Sequence, residues 1–330
     1  MLDNMLDNIM ISDKCSKKAN GGYVFDAEEI QEFCLATEDS NALHDPEKMH
    51  GLGKKVIVPG MLIFSSTAYI ASKYLESKAN YLRAIFNSPL SENEEFRQFL
   101  VWTDSDNEIT LGAETKEKSL LSKEQIKIPA SGLANYSFEN ALLKKNLYKK
   151  NDWYSCMRSY HHGSKAYRCE VANTFNFQGA KREYKIDIKK VLAFGNMISK
   201  GEKKNPDAEL LLYSIAYSSH VLLESVIDPF PEERALAESF GGPKKILPVY
   251  ESLEIYFKHP GIKVNPDAAL EFTTSITRKG EGEKDRDYIA NVRCDQRQGP
   301  KQTSKGVYAA RYKLTAVPEA LILRGLAKKL

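Results

Sequence analysis

Asp39 and His44 stand five residues apart, in a stretch where Asn41, Asp45 and Pro46 signal turn or loop rather than helix. A carboxylate and an imidazole on one polar loop can grip a single water and divide the acid and base work of adding or removing it. Gly60 then opens a long apolar run that reads as a buried helix over about 61–77. The first turn of such a helix has unpaired backbone N–H groups, which suit a substrate oxygen gaining negative charge. The combination points to chemistry at a carbonyl compound, with the helix as its floor.

Each residue also has a plainer reading. His44 alone would satisfy a loop, and Asp39 would bond its own backbone in a turn. Asn41 holds the loop by side-chain hydrogen bonds under either reading. Ser65 lies one turn into the helix, as a packed hydroxyl bonding back to a carbonyl or as a substrate contact. Gly60 is a helix-entry glycine and also leaves its N–H open to a substrate oxygen. The loop holding His50, Gly51 and Gly53 has no strand before it and is a weak phosphate signal. Lys48, Lys54 and Lys55 read as solvated surface that could meet a phosphate or an acidic partner. His161 and His162 lack the spacing of metal ligands, and His220 and His259 show no partner in the sequence. No metal and no cofactor is expected.

Asp39-Ser40-Asn41-Ala42-Leu43-His44 resembles the Asp-x-Asn-Pro-x-His signature of the MaoC-like, (R)-specific enoyl-thioester hydratases and dehydratases. Pro59-Gly60-Met61-Leu62-Ile63-Phe64-Ser65 is similar to the Gly-Met-Leu-x-x-Ser that opens the central helix of that family. Three positions depart from the pattern: Ala42 replaces a proline, Glu38 stands where glycine is common, and Pro59 where histidine is common. The resemblance implies an α+β double hotdog, each half a long central helix wrapped by a curled antiparallel sheet. It also implies a lyase that hydrates trans-2-enoyl thioesters or dehydrates (R)-3-hydroxyacyl thioesters in fatty-acid or polyketide metabolism. Asp39, His44 and Gly60 would then be catalytic, with Asn41, Ser65, Met61 and Pro59 bordering the substrate. The partner would be an acyl-CoA or an acyl carrier protein thioester, and a homodimer of double hotdogs stays open. The alternatives are a hotdog acyl thioesterase and a non-catalytic acyl-thioester-binding protein or subunit.

The chain has 330 residues, 42% hydrophobic and 28% charged, which describes a globular protein of one large domain or two ordinary ones. A formal charge of +3 with dispersed Lys and Arg does not indicate nucleic-acid binding. Five scattered cysteines without metal-type spacing fit free thiols in a reducing compartment. The first residues carry acids where a signal peptide carries bases, and no run approaches the roughly 18 apolar residues of a membrane span. The closing Lys-Lys-Leu is a poor likeness of a peroxisomal address. The expected location is the cytoplasm.

Asp26 and Glu29 form a capping-box pattern ahead of Ile30 and Phe33, so a short helix is expected there. Strands are expected at Tyr81–Phe86, Glu95–Thr103, Glu108–Thr115 and near Glu124–Pro129, with one more near 9–11. Much of this order recurs. Tyr23 to Asp26 with Phe33 returns as Tyr184 to Asp187 with Phe194, and Ser66 to Tyr69 returns as Ser214 to Tyr217. Phe86-x-x-Pro89 returns as Phe257-x-x-Pro260. Three matches in one order argue for duplication. The second copy is shorter in the interval that holds Asp39 and His44, and no Asp-x-Asn-x-x-His follows residue 150. The expected organisation is a catalytic hotdog at 1–150, a linker or last strand at 151–180, and a degenerate hotdog at 181–330. Strands are expected at Tyr288–Arg293 and Val307–Val317, and a helix from Pro318.

Overall fold

A computed structural model describes residues 23–72, 79, 81–103, 108–115, 120–127, 157–160, 169–174, 177–199, 203–226, 246–259, 261–278, 287–298 and 303–318. The chain divides into two units. The first gathers 1–137, 187–217 and 254–266, and the second 138–186, 218–253 and 267–330.

In the first unit, α1 (Ala27–Thr37) starts at the expected capping box. Asp26 accepts from the Glu29 N–H at 2.9 Å, and Glu29 accepts from the Asp26 N–H at 3.1 Å. Ile30 and Phe33 are buried, as their spacing predicts. A 3-10 turn follows (Ala42–His44), then α2 (Pro46–Gly51) and α3 (Gly60–Ile70). Asp45 lies between helices as expected, but the sequence reading of Pro46 as turn or loop is corrected here. Asp45 caps α2 through the Lys48 N–H, and Pro46 occupies its first turn. Residues that stop one element also start another, because the side chain that closes a turn satisfies a helix N-terminus equally well.

Met61 to Tyr69 are all buried, so α3 is a core helix rather than an amphipathic one. It packs on an antiparallel sheet of β1 (Tyr81–Phe86), β2 (Phe96–Thr103), β3 (Glu108–Thr115) and β4 (Leu120–Lys127), in the order β2-β3-β4-β1. Gln98 on β2 reaches up from this sheet to Ser66 and Thr67 of α3, at 2.9 and 3.2 Å. The unit also holds α4 (Ile188–Ser199) and the start of α5 (Pro206–Val226). Phe33 meets Phe194 at 5.8 Å between ring centres, and Phe194 meets Tyr213 edge-on at 5.5 Å. Tyr69 of α3 donates to Glu209 of α5 at 3.1 Å, a polar tie beside these aromatic ones.

The second unit contains β5 (Met157–Tyr160), β6 (Cys169–Thr174), β7 (Phe177–Lys185), β9 (Ala269–Arg278), β10 (Asp287–Gln298) and β11 (Thr303–Pro318). They lie in the order β11-β10-β9-β7-β6-β5, every neighbour antiparallel. Strand β8 (Ile246–Phe257) contributes residues to both units. The segment 151–180, expected as a linker or a single last strand, therefore supplies β5, β6 and the start of β7. The strands near 288–293 and 307–317 are present and longer than expected. His220, which shows no partner in the sequence, lies 3.3 Å from the buried Arg182. Pro318, expected to start a helix, is instead the last residue of β11; the residues after it, the expected strand near 9–11, and His161 and His162 lie outside the described residues.

Candidate active site

The loop after α1 is built by a chain of short-range bonds. Asp39 Oδ1 accepts from the Asn41 N–H at 2.9 Å, and Asn41 Oδ1 accepts from the Leu43 N–H at 3.1 Å. Each side chain thus bonds the backbone two residues on, the arrangement for which Asp and Asn are favoured in turns. The result folds Asp39 back toward His44. Asp39 Oδ2 lies 4.0 Å from His44 Nε2, with the two side chains 13% and 10% exposed.

The other ring nitrogen of His44 faces the Ile57 carbonyl at 2.6 Å. A carbonyl only accepts, so Nδ1 carries a proton and Nε2 is the ring nitrogen turned toward Asp39. A separation of 4.0 Å exceeds a direct hydrogen bond and leaves both atoms available to one shared polar atom. Ile57, which holds the imidazole, is three residues before Gly60, so at most roughly 10 Å of chain separates it from the start of α3.

At that start, Pro59 provides no side-chain cap. Its carbonyl accepts from Leu62 and Ile63, and among the described residues the N–H groups of Gly60 and Met61 have no backbone partner. A methyl group on Gly60 would meet the Phe86 ring at 3.3 Å, so the glycine admits that ring against the helix. Pro59 and Met61 are buried beside it. Ser66 and Thr67 bond back to the Ile63 carbonyl at 2.9 and 2.8 Å, whereas the buried Ser65 hydroxyl has no partner among the described residues.

Three participants were not legible as site residues. Glu38 occupies the left-handed region (φ 60°, ψ 26°) at the end of α1, which costs a residue with a Cβ roughly 1–2 kcal/mol. Its carboxylate takes Lys190 Nζ at 2.6 Å and Tyr217 OH at 3.3 Å. Glu92 is buried and accepts from the Val56 N–H at 3.0 Å while meeting His50 Nε2 at 2.7 Å, which fixes the segment entering α3. Cys34 lies nearby as well. Burial, then the charges of Asp39 and Asp45, push its thiol well above the usual range, so it stays protonated and is no nucleophile.

No protein-family model matches the chain, and no curated protein sequence does either. Among solved structures, a MaoC-like dehydratase covers 89% of this chain and 95% of its own at a TM-score of 0.51 and 11% identity. The dehydratase domain from the CurJ module of the curacin polyketide synthase covers 80% of this chain and 84% of its own, at 0.43 and 11%. An acyl-CoA thioesterase II from Mycobacterium marinum covers 76% and 88%, at 0.41 and 9%. The fold is the hotdog fold of MaoC-like dehydratases, a buried helix against an antiparallel sheet.

Proposed function

We propose that the protein is an enoyl-thioester hydratase or 3-hydroxyacyl-thioester dehydratase. The observation that carries this reading is the Asp39–His44 pair held 4.0 Å apart, with the His44 tautomer set by Ile57. In hydration, a water sits between Asp39 and the Nε2 lone pair. The imidazole takes one proton from that water as the water oxygen adds to C3, and the imidazolium so formed returns the same proton to C2, with Asp39 holding the water. The thioester oxygen gains charge as this happens, and the Gly60 N–H at the head of α3 stabilises it. One such donor is worth about 3–4 kcal/mol of barrier. Dehydration is the reverse, and the substrate is carried on coenzyme A or an acyl carrier protein. Asn41 holds the loop, while Pro59, Met61 and Ser65 border the acyl group. The wider organisation proposed is a double hotdog, in which the copy after residue 180 lacks the motif.

Asp39→Asn tests this reading. The variant is expected to fold as the wild type and lose at least a hundredfold in the hydration of crotonyl-CoA or longer enoyl thioesters. Wild-type rates in the variant would reject the assignment. Thioesterase activity is the second reading, since one carboxylate can also drive water onto the carbonyl. Release of free thiol from a saturated acyl-CoA would select it.

A further inference from the structure

We propose that Lys190 and Tyr217 are positioning residues for the Asp39–His44 pair, acting through Glu38; this deepens the hydratase reading and rests on it. The end of α1 is where the catalytic loop is aimed. Asp39 N–H bonds the Cys34 carbonyl at 2.9 Å, and the Glu38 N–H bonds the same carbonyl, a helix ending that requires residue 38 in the left-handed region. A glycine adopts that conformation freely, and a glutamate does not. Something must hold Glu38 there, and the structure shows what does. Lys190 from α4 and Tyr217 from α5 grip the two carboxylate oxygens, at 2.6 and 3.3 Å. One turn before Tyr217 on α5, Tyr213 donates to the Ala36 carbonyl at 3.1 Å, so the last turn of α1 is tied to the same helix.

The three donors stand 152 to 179 residues further along the chain than their acceptors, yet belong with α1 in the first unit. Lys190 and Glu38 are each 31% exposed, so the ion pair is partly shielded from water. If the chain is a duplication, α4 and α5 belong to the copy without the motif. That copy then serves catalysis by holding the other copy's loop at the angle a glycine would otherwise allow.

The consequence is an asymmetry. The clamp matters only because residue 38 is not glycine. In the full-length protein, Lys190→Met is expected to lower kcat for enoyl-CoA hydration about tenfold with KM within about twofold, and Lys190→Arg to retain most of the rate. Tyr217→Phe lowers kcat less than Lys190→Met. Adding Glu38→Gly to Lys190→Met is expected to recover most of the lost kcat, measured per folded enzyme so that relief of the left-handed strain on stability does not enter. Hydrogen exchange at the Asn41 and Leu43 amides reads the same loop without any substrate. It is expected to quicken about tenfold in Lys190→Met and return in the double variant. A wild-type kcat in Lys190→Met, or a double variant as slow as the single one, overturns the proposal. If the wild type shows no hydratase activity, the functional reading fails separately. Unchanged exchange in Lys190→Met then overturns the clamp on its own evidence.

Discussion

At Gly60 a single methyl group separates two roles. Alanine there would press on the Phe86 ring at 3.3 Å, but that ring is half-buried and can give, and alanine is the better helix former by about 1 kcal/mol. Gly60→Ala should therefore change stability by no more than about 1 kcal/mol in chemical unfolding while cutting kcat/KM at least tenfold. A variant as active as the wild type would leave the glycine with a packing role only. Ser65 gives the complementary case. Its hydroxyl is buried without a partner among the described residues, so Ser65→Ala is expected to hold or raise the melting temperature. A severalfold rise in KM for the enoyl thioester in that variant would mark the hydroxyl as a substrate contact. Asp39, Asn41 and His44 could be read from residue type and spacing because their bonds are local. Glu38 could not, since a glutamate in a sequence says nothing of its φ. Its partner Lys190 is 152 residues away.

Among the elements, α1 and α3 were legible because a capping box and a continuous apolar run are local signals. Strands β1 and β3 also lie where alternation puts them. Strands β7, β8 and β9 gave no such signal. Arg182 is buried in β7, β8 runs through Pro248, a residue that argues against a strand, and Thr274 and Ser275 are buried in β9. A glycine inside α4 is a second element whose reason lies elsewhere in the chain. Gly195 would read as a weakness in a helix interior. A Cβ there would run into the Glu209 carboxylate of α5, with Cδ at 2.7 Å, while Tyr69 holds the other side of that group. Gly195→Ala is therefore expected to destabilise by about 1–3 kcal/mol despite its better helix propensity, through overpacking. Equilibrium denaturation measures this, and a more stable variant would show that α4 and α5 do not meet as described.

For the whole molecule, the pH dependence of stability carries the mark of one carboxyl. Glu124 lies on β4 in the register row of Ala84 and Leu111 and is 0% exposed. Ser122 donates to one of its oxygens at 3.0 Å, and the other has no partner among the described residues. Burial raises it well above its ordinary value of 4.5, and the single hydrogen bond from Ser122 offsets only part of that. The folded protein therefore keeps this proton at a pH where the unfolded chain has released it. With more protons bound in the native state, stability falls as pH rises from about 4.5, by up to about 1.4 kcal/mol per pH unit, until the folded group also ionises. Glu124→Gln keeps a partner for Ser122 and removes the titration. Its stability relative to wild type should be near zero at pH 4 and grow more favourable as pH rises past 4.5, levelling off once the folded carboxyl itself ionises, in urea unfolding followed at each pH. Two parallel curves would mean that Glu124 finds a positive partner or water in solution, and that the interior beneath α3 is wetter than its apolar lining suggests.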